Sequence, residues 1–123
     1  NEIGFQDIIQ WYVCRWQIEI FFYILKSGCR VEELQLTEAS RFLPCLAMYS
    51  IIAWRILFMI HMTRTNPNAN CEVVFTPEEW QCIYINVYKK RPPESPPNLL
   101  SMVVDVAKLG GFLARKHDGY PGP

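Results

Sequence analysis

The sequence lacks the features that most readily identify a small metal-binding, redox or nucleic-acid-binding protein. It has no Cys-x-x-Cys pair, and its five cysteines are odd in number and scattered through 123 residues. This argues against a disulfide framework and a zinc site, and it fits reduced thiols in a cytoplasmic protein. Twelve basic residues balance twelve acidic ones. Because the net charge is zero, any contact with nucleic acid must come from the local placement of cations.

No signal peptide is visible at the start, the first residue is Asn1 instead of methionine, and no segment is repeated. We therefore expect the chain to be a piece of a longer protein. His61 and His117 lie far apart, so a histidine metal site is not expected. Half of the residues are hydrophobic, which excludes disorder for most of the chain and is enough for one domain with a core.

Hydrophobic periodicity and capping signals predict four helices and no convincing strand. Their approximate residue ranges are 5–26, 37–63, 76–91 and 98–117. The third has the clearest start, because Thr76 can cap it, Pro77 suits its first position and Glu79 completes a capping box. We expect Pro44 either to bend the second helix or to delay its start. The best strand candidate is the short stretch Cys71–Phe75.

The segment Phe42–Met62 carries Arg55 as its only full charge. Its length of about twenty residues is enough to cross a bilayer, so a membrane span is one interpretation. Against it, an internal Arg55 costs roughly 2.5–3.5 kcal/mol on insertion scales, and the flanks carry no strong positive cluster or aromatic belt. Burial inside a larger soluble protein explains an apolar helix equally well, and we favour it over contact with a membrane.

The first predicted helix carries a narrow polar stripe on an otherwise apolar surface. Tyr12, Arg15, Glu19 and Lys26 are spaced by three, four and seven residues. At about 100° per residue they fall within roughly 60° of one another around the helix axis, and Tyr23 lies on the same face. One interpretation is a structural ion pair between residues 15 and 19. The other is a site for phosphate and a divalent cation, with the carboxylate on the metal and the cations on phosphate oxygens.

The four stripe residues resemble a known signature. Tyr12, Arg15, Glu19 and Lys26 match, with the same spacing, the YREK signature of bacterial insertion-sequence transposases of the DDE class, which have a ribonuclease H-like catalytic core. The three stretches FTPEEW, KKRPP and AKLGGFLARKHDG, which begin at residues 75, 89 and 107, are similar to the helical C-terminal, or dimerisation, region of that family. The resemblance therefore covers nearly the whole chain.

The resemblance implies a role for each matching residue. Glu19 would be the third acidic ligand of the Mg²⁺ or Mn²⁺ that serves DNA cleavage and joining. Tyr12, Arg15 and Lys26 would contact phosphates of transposon-end DNA. The implied fold is an all-α fragment of about four helices, the first being the catalytic-Glu helix of a ribonuclease H-like α/β core.

The resemblance also implies a division of the chain. Residues 1–65 would be the C-terminal helical part of the catalytic core, with the Glu helix and a buried second helix. Residues 71–123 would be the helical dimerisation-type region, with a proline-rich spacer at 91–97. The intact transposase, called the parent below, would be a bacterial cytoplasmic protein associated with the nucleoid through DNA.

The chain departs from the family pattern in its aspartates. The catalytic core needs two aspartates on strands that precede the Glu helix, whereas Asp7, Asp105 and Asp118 lie in no plausible strand. One carboxylate cannot assemble a two-metal site, so we expect the chain as given to be inactive. Homodimerisation is expected of the parent. It is not expected of this chain, which stops before the Trp-rich terminal helix that contributes to the dimer contact in the family. The alternative functions are a non-catalytic helical interaction module and a membrane-protein fragment spanning residues 42–62.

Other features have interpretations that concern structure. The basic runs 89–91 and 115–117 are interpreted as solvated helix ends, with DNA-phosphate contact as the alternative. The pair Gly110-Gly111 lies inside the predicted fourth helix and suggests a close helix crossing. Trp54 and Trp80 are predicted to lie in the core, with an interface anchor as the alternative for Trp80.

Overall fold

A computed structural model describes residues 4–115, 117–119 and 121, and over these residues the protein is all-helical. The four α-helices are α1 (Phe5–Tyr23), α2 (Ala39–Thr65), α3 (Pro77–Tyr88) and α4 (Leu99–Leu109). A π-helical turn, Ile24–Gly28, continues α1, and two short 3₁₀ turns cover Val31–Glu33 and Cys71–Val73. The predicted all-α class and the four helices are confirmed.

The chain divides into two compact units, the first ending at Leu57 and the second beginning at Phe58. This division falls inside α2. The organisation predicted from the resemblance, with regions 1–65 and 71–123, is a statement about the parent and stays a prediction.

In the first unit, α1 begins after Gly4, whose backbone N–H donates to Asp7 Oδ2 at 3.1 Å. No residue of α1 is buried. The buried side chains begin just after it, with Ile24 and Leu25 in the π turn and Val31 in the following 3₁₀ turn. The first unit therefore has few buried side chains, and α1 contributes none of them.

The helix α2 continues through Pro44, so the proline does not delay its start. By length and composition it could cross a membrane, which is weak evidence because core helices of soluble proteins pass the same test. Two of its apolar side chains, Ala53 and Ile60, are buried within this chain, and the others are half-buried or exposed. Trp54, predicted to lie in the core, is 58% exposed, and that prediction is wrong for this chain. Burial of α2 inside a larger protein stays a prediction.

The second unit has a true core between α3 and α4. Its buried cluster consists of Cys71, Phe75, Trp80, Leu99, Met102 and Val103. The Trp80 side chain is 2% exposed, as predicted, and its indole N–H donates to Glu72 Oε1 at 3.1 Å. Complete burial of large apolar side chains stabilises a fold by roughly 1.5–3 kcal/mol each. This cluster holds α3 and α4 together.

The start of α3 is confirmed in detail. Thr76 Oγ1 accepts a hydrogen bond from the Glu79 N–H at 3.3 Å, and Glu79 Oε2 accepts one from the Thr76 N–H at 2.9 Å. Pro77 occupies the first helical position, where its missing N–H has no cost. These residues form the predicted capping box.

The strand candidate Cys71–Phe75 is wrong: Cys71–Val73 is a 3₁₀ turn. The Asn70 side-chain oxygen accepts a hydrogen bond from the Glu72 N–H at 2.9 Å, and this local bond favours a turn over an extended strand. Within the described residues the one β-type pairing is an isolated bridge between Asn70 and Asn98. A backbone bond from Cys71 N–H to the Pro97 carbonyl, 3.1 Å long, ties down the end of the 91–97 spacer.

The fourth helix is shorter than predicted, because it ends at Leu109 and leaves Gly110-Gly111 outside. Gly111 has φ +95°, a conformation that favours glycine and stops the helix. Its N–H donates to the Lys108 carbonyl at 3.0 Å, and the Phe112 N–H donates to the Ala107 carbonyl at 2.9 Å. This pair of bonds is a Schellman cap. The two glycines therefore end the helix, and the predicted helix crossing is wrong.

Candidate functional site

Three of the four stripe residues lie together on α1. The Arg15 Nη1 atom is 3.0 Å from Glu19 Oε1, and both side chains are 55% exposed. The Arg15 guanidinium carbon lies 5.3 Å from the centroid of the Tyr12 ring, within the range of a cation–π contact. Helical spacing explains this grouping, since residues three and four apart are neighbours on a helix surface.

Lys26 is placed differently. It lies in the π turn, which contains more residues per turn than an α-helix. Lys26 is therefore rotated around the helix axis away from the position that regular α-helical spacing predicts. Its Nζ atom is 2.9 Å from Glu32 Oε1. Tyr23 is the last residue of α1 and is exposed. The structure therefore pairs Lys26 with the 3₁₀ turn instead of with Glu19.

The stripe is open to solvent and its ion pairs are weak. Exposed pairs of this kind typically contribute about 0.2–1 kcal/mol, because solvent screens the charges and the side chains lose conformational freedom. Arg15, Glu19 and Lys26 can therefore exchange their present partners for an external phosphate or cation at little cost to the fold. A guanidinium can bind a phosphate through two parallel N–H bonds, which a water-exposed carboxylate partner does not prevent.

The described residues do not fit a two-metal site. Among them, no group of three or more histidine, cysteine, aspartate or glutamate side chains is placed to hold a metal ion. Among the described residues, the Glu19 carboxylate pairs with the cation Arg15, which cannot be a metal ligand.

A second polar cluster, in the second unit, was missed by sequence reasoning. Asp105 in α4 is 3% exposed, and its Oδ1 atom accepts hydrogen bonds from Tyr88 Oη at 3.0 Å and Lys108 Nζ at 2.9 Å. Burial, with the Asp105 hydrogen bond second, raises the pKa of Tyr88. The same acceptor raises the pKa of Lys108 despite its partial burial. This cluster fixes the end of α3 to α4.

The signal for this cluster was present in the sequence. Asp105 is the only charge in the apolar run LLSMVVDVA, and Lys108 follows it by three residues on the same helix face. As a candidate metal-binding partner of Glu19, Asp105 is excluded because it lies in no plausible strand. A lone carboxylate on the apolar face of a helix predicts a hydrogen-bond donor beside it, and the Tyr88 hydroxyl is one.

The two basic runs lie at or beyond helix ends. Lys89 caps α3 in the left-handed conformation with φ 54°, and Lys89, Lys90 and Arg91 are exposed. In the second run, Lys116 lies outside the described residues, and the Arg115 backbone N–H donates to Asp118 Oδ2 at 2.7 Å.

A large apolar surface is exposed in the first unit. On α1 the exposed side chains include Trp11 and Trp16, and on α2 they include Leu43, Met48 and Ile51. Exposed apolar side chains of this size are typical of surfaces that interact with a partner.

Comparison with known proteins gives the family. The family described as "Transposase Tn5 dimerisation domain" matches residues 51–123, a range that contains the second half of α2 and all of α3 and α4. No solved structure matches the chain. Because the match covers more than half of the chain, the protein belongs to the Tn5 transposase dimerisation domain family.

Proposed function

We propose that the chain is the C-terminal part of a DNA transposase, with α1 contributing to the DNA-cutting site and residues 51–123 supporting the pairing of two copies. The observation that carries this proposal is the grouping of Tyr12, Arg15 and Glu19 on α1, on the N-terminal side of the family match. A dimerisation unit of a transposase is preceded here by a helix with the spacing of the YREK signature. The site of action would be DNA in the bacterial cytoplasm.

In this proposal the stripe binds the DNA backbone. Arg15 binds a phosphate through its guanidinium, Tyr12 donates its hydroxyl, and Lys26 contributes a point charge. The exposure of these side chains and the weakness of their ion pairs support the role, since a phosphate can replace each partner. By resemblance, Glu19 is one of three carboxylates that hold Mg²⁺ or Mn²⁺ in the parent, and the other two would come from outside the described residues.

The test is strand cleavage by the parent on its own transposon ends. Glu19→Gln keeps the size of the side chain and removes its charge, so cleavage should be lost while end binding remains measurable. Glu33→Gln is the matched control, because Glu33 is also exposed and paired with an arginine, at 2.7 Å from Arg30 Nε. Retained cleavage in Glu19→Gln, or equal losses in both variants, would contradict the proposal.

A second candidate is a non-catalytic helical interaction module. The observation that favours it is the Arg15–Glu19 pair itself, which is already satisfied within α1 at 3.0 Å. In this case Arg15→Met and Glu19→Gln would change the stability of α1 slightly and leave DNA cleavage by the parent unchanged. The cleavage assay therefore separates the two candidates.

A membrane-spanning role for α2 is a third candidate, motivated by the length and apolar character of Ala39–Thr65. Under the transposase proposal the untagged chain should be recovered in the supernatant of a lysate prepared without detergent. Recovery only from the membrane fraction would favour the third candidate.

A further inference from the structure

The segment Lys89–Arg91, called the basic segment below, places three consecutive cations directly after α3. Lys89 is the helix cap, and the other two residues lie beyond the helix. All three side chains are exposed. Because the whole chain has no net charge, this is a local concentration of positive charge and not a general property of the surface.

Unlike the basic segment, the first unit has cations that are paired with carboxylates. Those with a carboxylate oxygen within 3.4 Å are Arg15, Lys26, Arg30 and Arg41. In the part of the chain that the structure describes, none of the three cations of the basic segment has a carboxylate within ion-pair distance. The negative end of the α3 dipole stabilises a cation at Lys89, but this effect fades within the last turn and does not extend to Lys90 and Arg91.

The basic segment is attached to a rigid support. Tyr88, the residue before it, is held through its hydroxyl by the buried Asp105 at 3.0 Å. The centroid of the Tyr88 ring lies 4.5 Å from the centroid of the Tyr84 ring. The Lys108 Nζ atom lies 5.7 Å from the Tyr88 centroid. Pro92 and Pro93 follow and restrict the backbone on the other side. Positions fixed in this way lose less entropy when a ligand binds.

We infer that the basic segment is a contact for the phosphate backbone of DNA, separate from the stripe on α1. Lys89 and Lys90 act as point charges, and Arg91 can bind a phosphate through two parallel N–H bonds. Backbone contacts carry no sequence information, so this surface holds DNA in place without reading its bases. The inference rests on the proposed function for the identity of the polyanion.

The number of cations favours DNA over an anionic bilayer. Lipid-binding basic clusters usually combine four to eight cations, because each contributes only about 1 kcal/mol near a charged membrane. A duplex carries one negative charge per roughly 1.7 Å of its axis, so a short run of three cations can meet several phosphates at once. If the segment binds an acidic protein instead, the wild-type chain will not bind duplex DNA.

The test measures binding of the full chain to a duplex of about 20 base pairs by fluorescence anisotropy, between about 50 and 200 mM salt. Lys90→Ala/Arg91→Ala removes two unpaired cations and keeps the Lys89 cap, so the fold should survive. Arg30→Ala/Arg41→Ala is the matched control, since it removes two exposed cations that have carboxylate partners. Circular dichroism confirms that each variant is folded.

We expect the slope of log affinity against log salt to fall in magnitude by about 2 in Lys90→Ala/Arg91→Ala, because each phosphate contact contributes about 0.9. The control should keep the wild-type slope, and an unrelated duplex should bind equally well. Equal slopes in the two variants would overturn the inference. So would wild-type chain that binds no duplex, whether or not it binds vesicles of equal parts phosphatidylcholine and phosphatidylglycerol.

A third variant separates this inference from the proposed function. Arg15→Ala/Lys26→Ala removes the two cations of the stripe. If it leaves the slope unchanged while Lys90→Ala/Arg91→Ala lowers it, the basic segment binds DNA and the phosphate role of the stripe fails. The opposite result keeps the stripe and overturns the basic segment.

Discussion

The two units of the chain differ in where they place apolar side chains and charges. The first exposes large apolar side chains along α1 and α2 and pairs most of its cations with nearby carboxylates. The second buries aromatic and aliphatic side chains around Trp80, and its basic segment has no carboxylate partner among the residues that the structure describes. A closed core can sustain a unit by itself, whereas an exposed apolar surface indicates a partner. The second unit therefore resembles an independent module, and the first resembles one part of an interface.

The same difference applies to the ion pairs. The Arg15–Glu19 pair in the first unit is open to water, so it contributes little and can exchange partners. The Lys108–Asp105 pair involves a carboxylate that is almost completely buried and also bound by Tyr88. Removal of a partner there leaves a buried group unsatisfied. Exposed pairs are suited to ligand exchange, and buried ones are suited to fixing helices.

The largest expected effect comes from the core of the second unit. Trp80→Ala should lower the free energy of unfolding by about 3–5 kcal/mol, because it removes a fully buried ring and leaves a cavity. The matched control is Trp16→Ala on α1, where the side chain is 64% exposed and the change should stay within about 0.5 kcal/mol. Urea denaturation measures both. Equal losses would mean that the two units do not differ in burial as described.

Asp105→Ala should have the next largest effect, with a loss of roughly 1–3 kcal/mol. The substitution removes the acceptor of Tyr88 and Lys108 from the interior of the second unit. Glu38→Ala, which removes an exposed carboxylate paired with Arg41, is the control and should change stability by less than about 1 kcal/mol. Urea denaturation measures both variants. If Asp105→Ala leaves the free energy of unfolding unchanged, the cluster does not hold α3 to α4.

The same cluster predicts a dependence of stability on alkaline pH. The pKa values of Tyr88 and Lys108 are raised above their usual values of 10.0 and 10.5, so the folded protein holds these protons more tightly than the unfolded chain. Their contribution is therefore complete below about pH 10 and is lost as pH rises through the folded-state pKa values. Denaturation at several alkaline pH values tests this. Asp105→Ala should reduce that dependence, mainly through Lys108, for which the Asp105 hydrogen bond is the first cause of the raised pKa. An unchanged dependence would contradict the assignment.

The smallest expected effect comes from the stripe. Arg15→Met removes the Glu19 partner and should lower stability by no more than about 1 kcal/mol, because the pair is exposed. Thermal unfolding followed by circular dichroism measures the change, with Arg41→Met as the control on another exposed pair. A loss as large as that of Asp105→Ala would identify the Arg15–Glu19 pair as a main support of the fold and remove the argument for partner exchange.

Local signals in the sequence predicted much of the fold. The capping box of Thr76 and Glu79 and the four helical segments are present as expected, because both depend on neighbours within a few residues. The end of α4 was predicted too late, because the helical pattern of apolar residues continues past Gly110. The hydrogen bonds of the Schellman cap around Gly111 end the helix at Leu109 instead. The 3₁₀ turn at Cys71 was missed because one Asn70 side-chain bond outweighs a short β-forming sequence.

The sequence predicted the part of the candidate site that depends on neighbours within α1. Regular spacing correctly grouped Tyr12, Arg15 and Glu19, but it placed Lys26 with them and could not foresee the π turn that directs it to Glu32. The Tyr88–Asp105 bond joins residues 17 apart in sequence, so no local pattern contains it. Contacts between separate helices require the fold, and the sequence alone gave only the unexplained charge in α4.

The central claim is that Glu19 works with two further carboxylates in a transposase. The most direct test is to sequence the DNA on both sides of the coding segment. The account predicts an open frame upstream that encodes two aspartates on strands, with short inverted repeats flanking the whole element. A frame that opens near Asn1, with no upstream aspartates and no repeats, would contradict it. The polar stripe of α1 would then be a structural feature only.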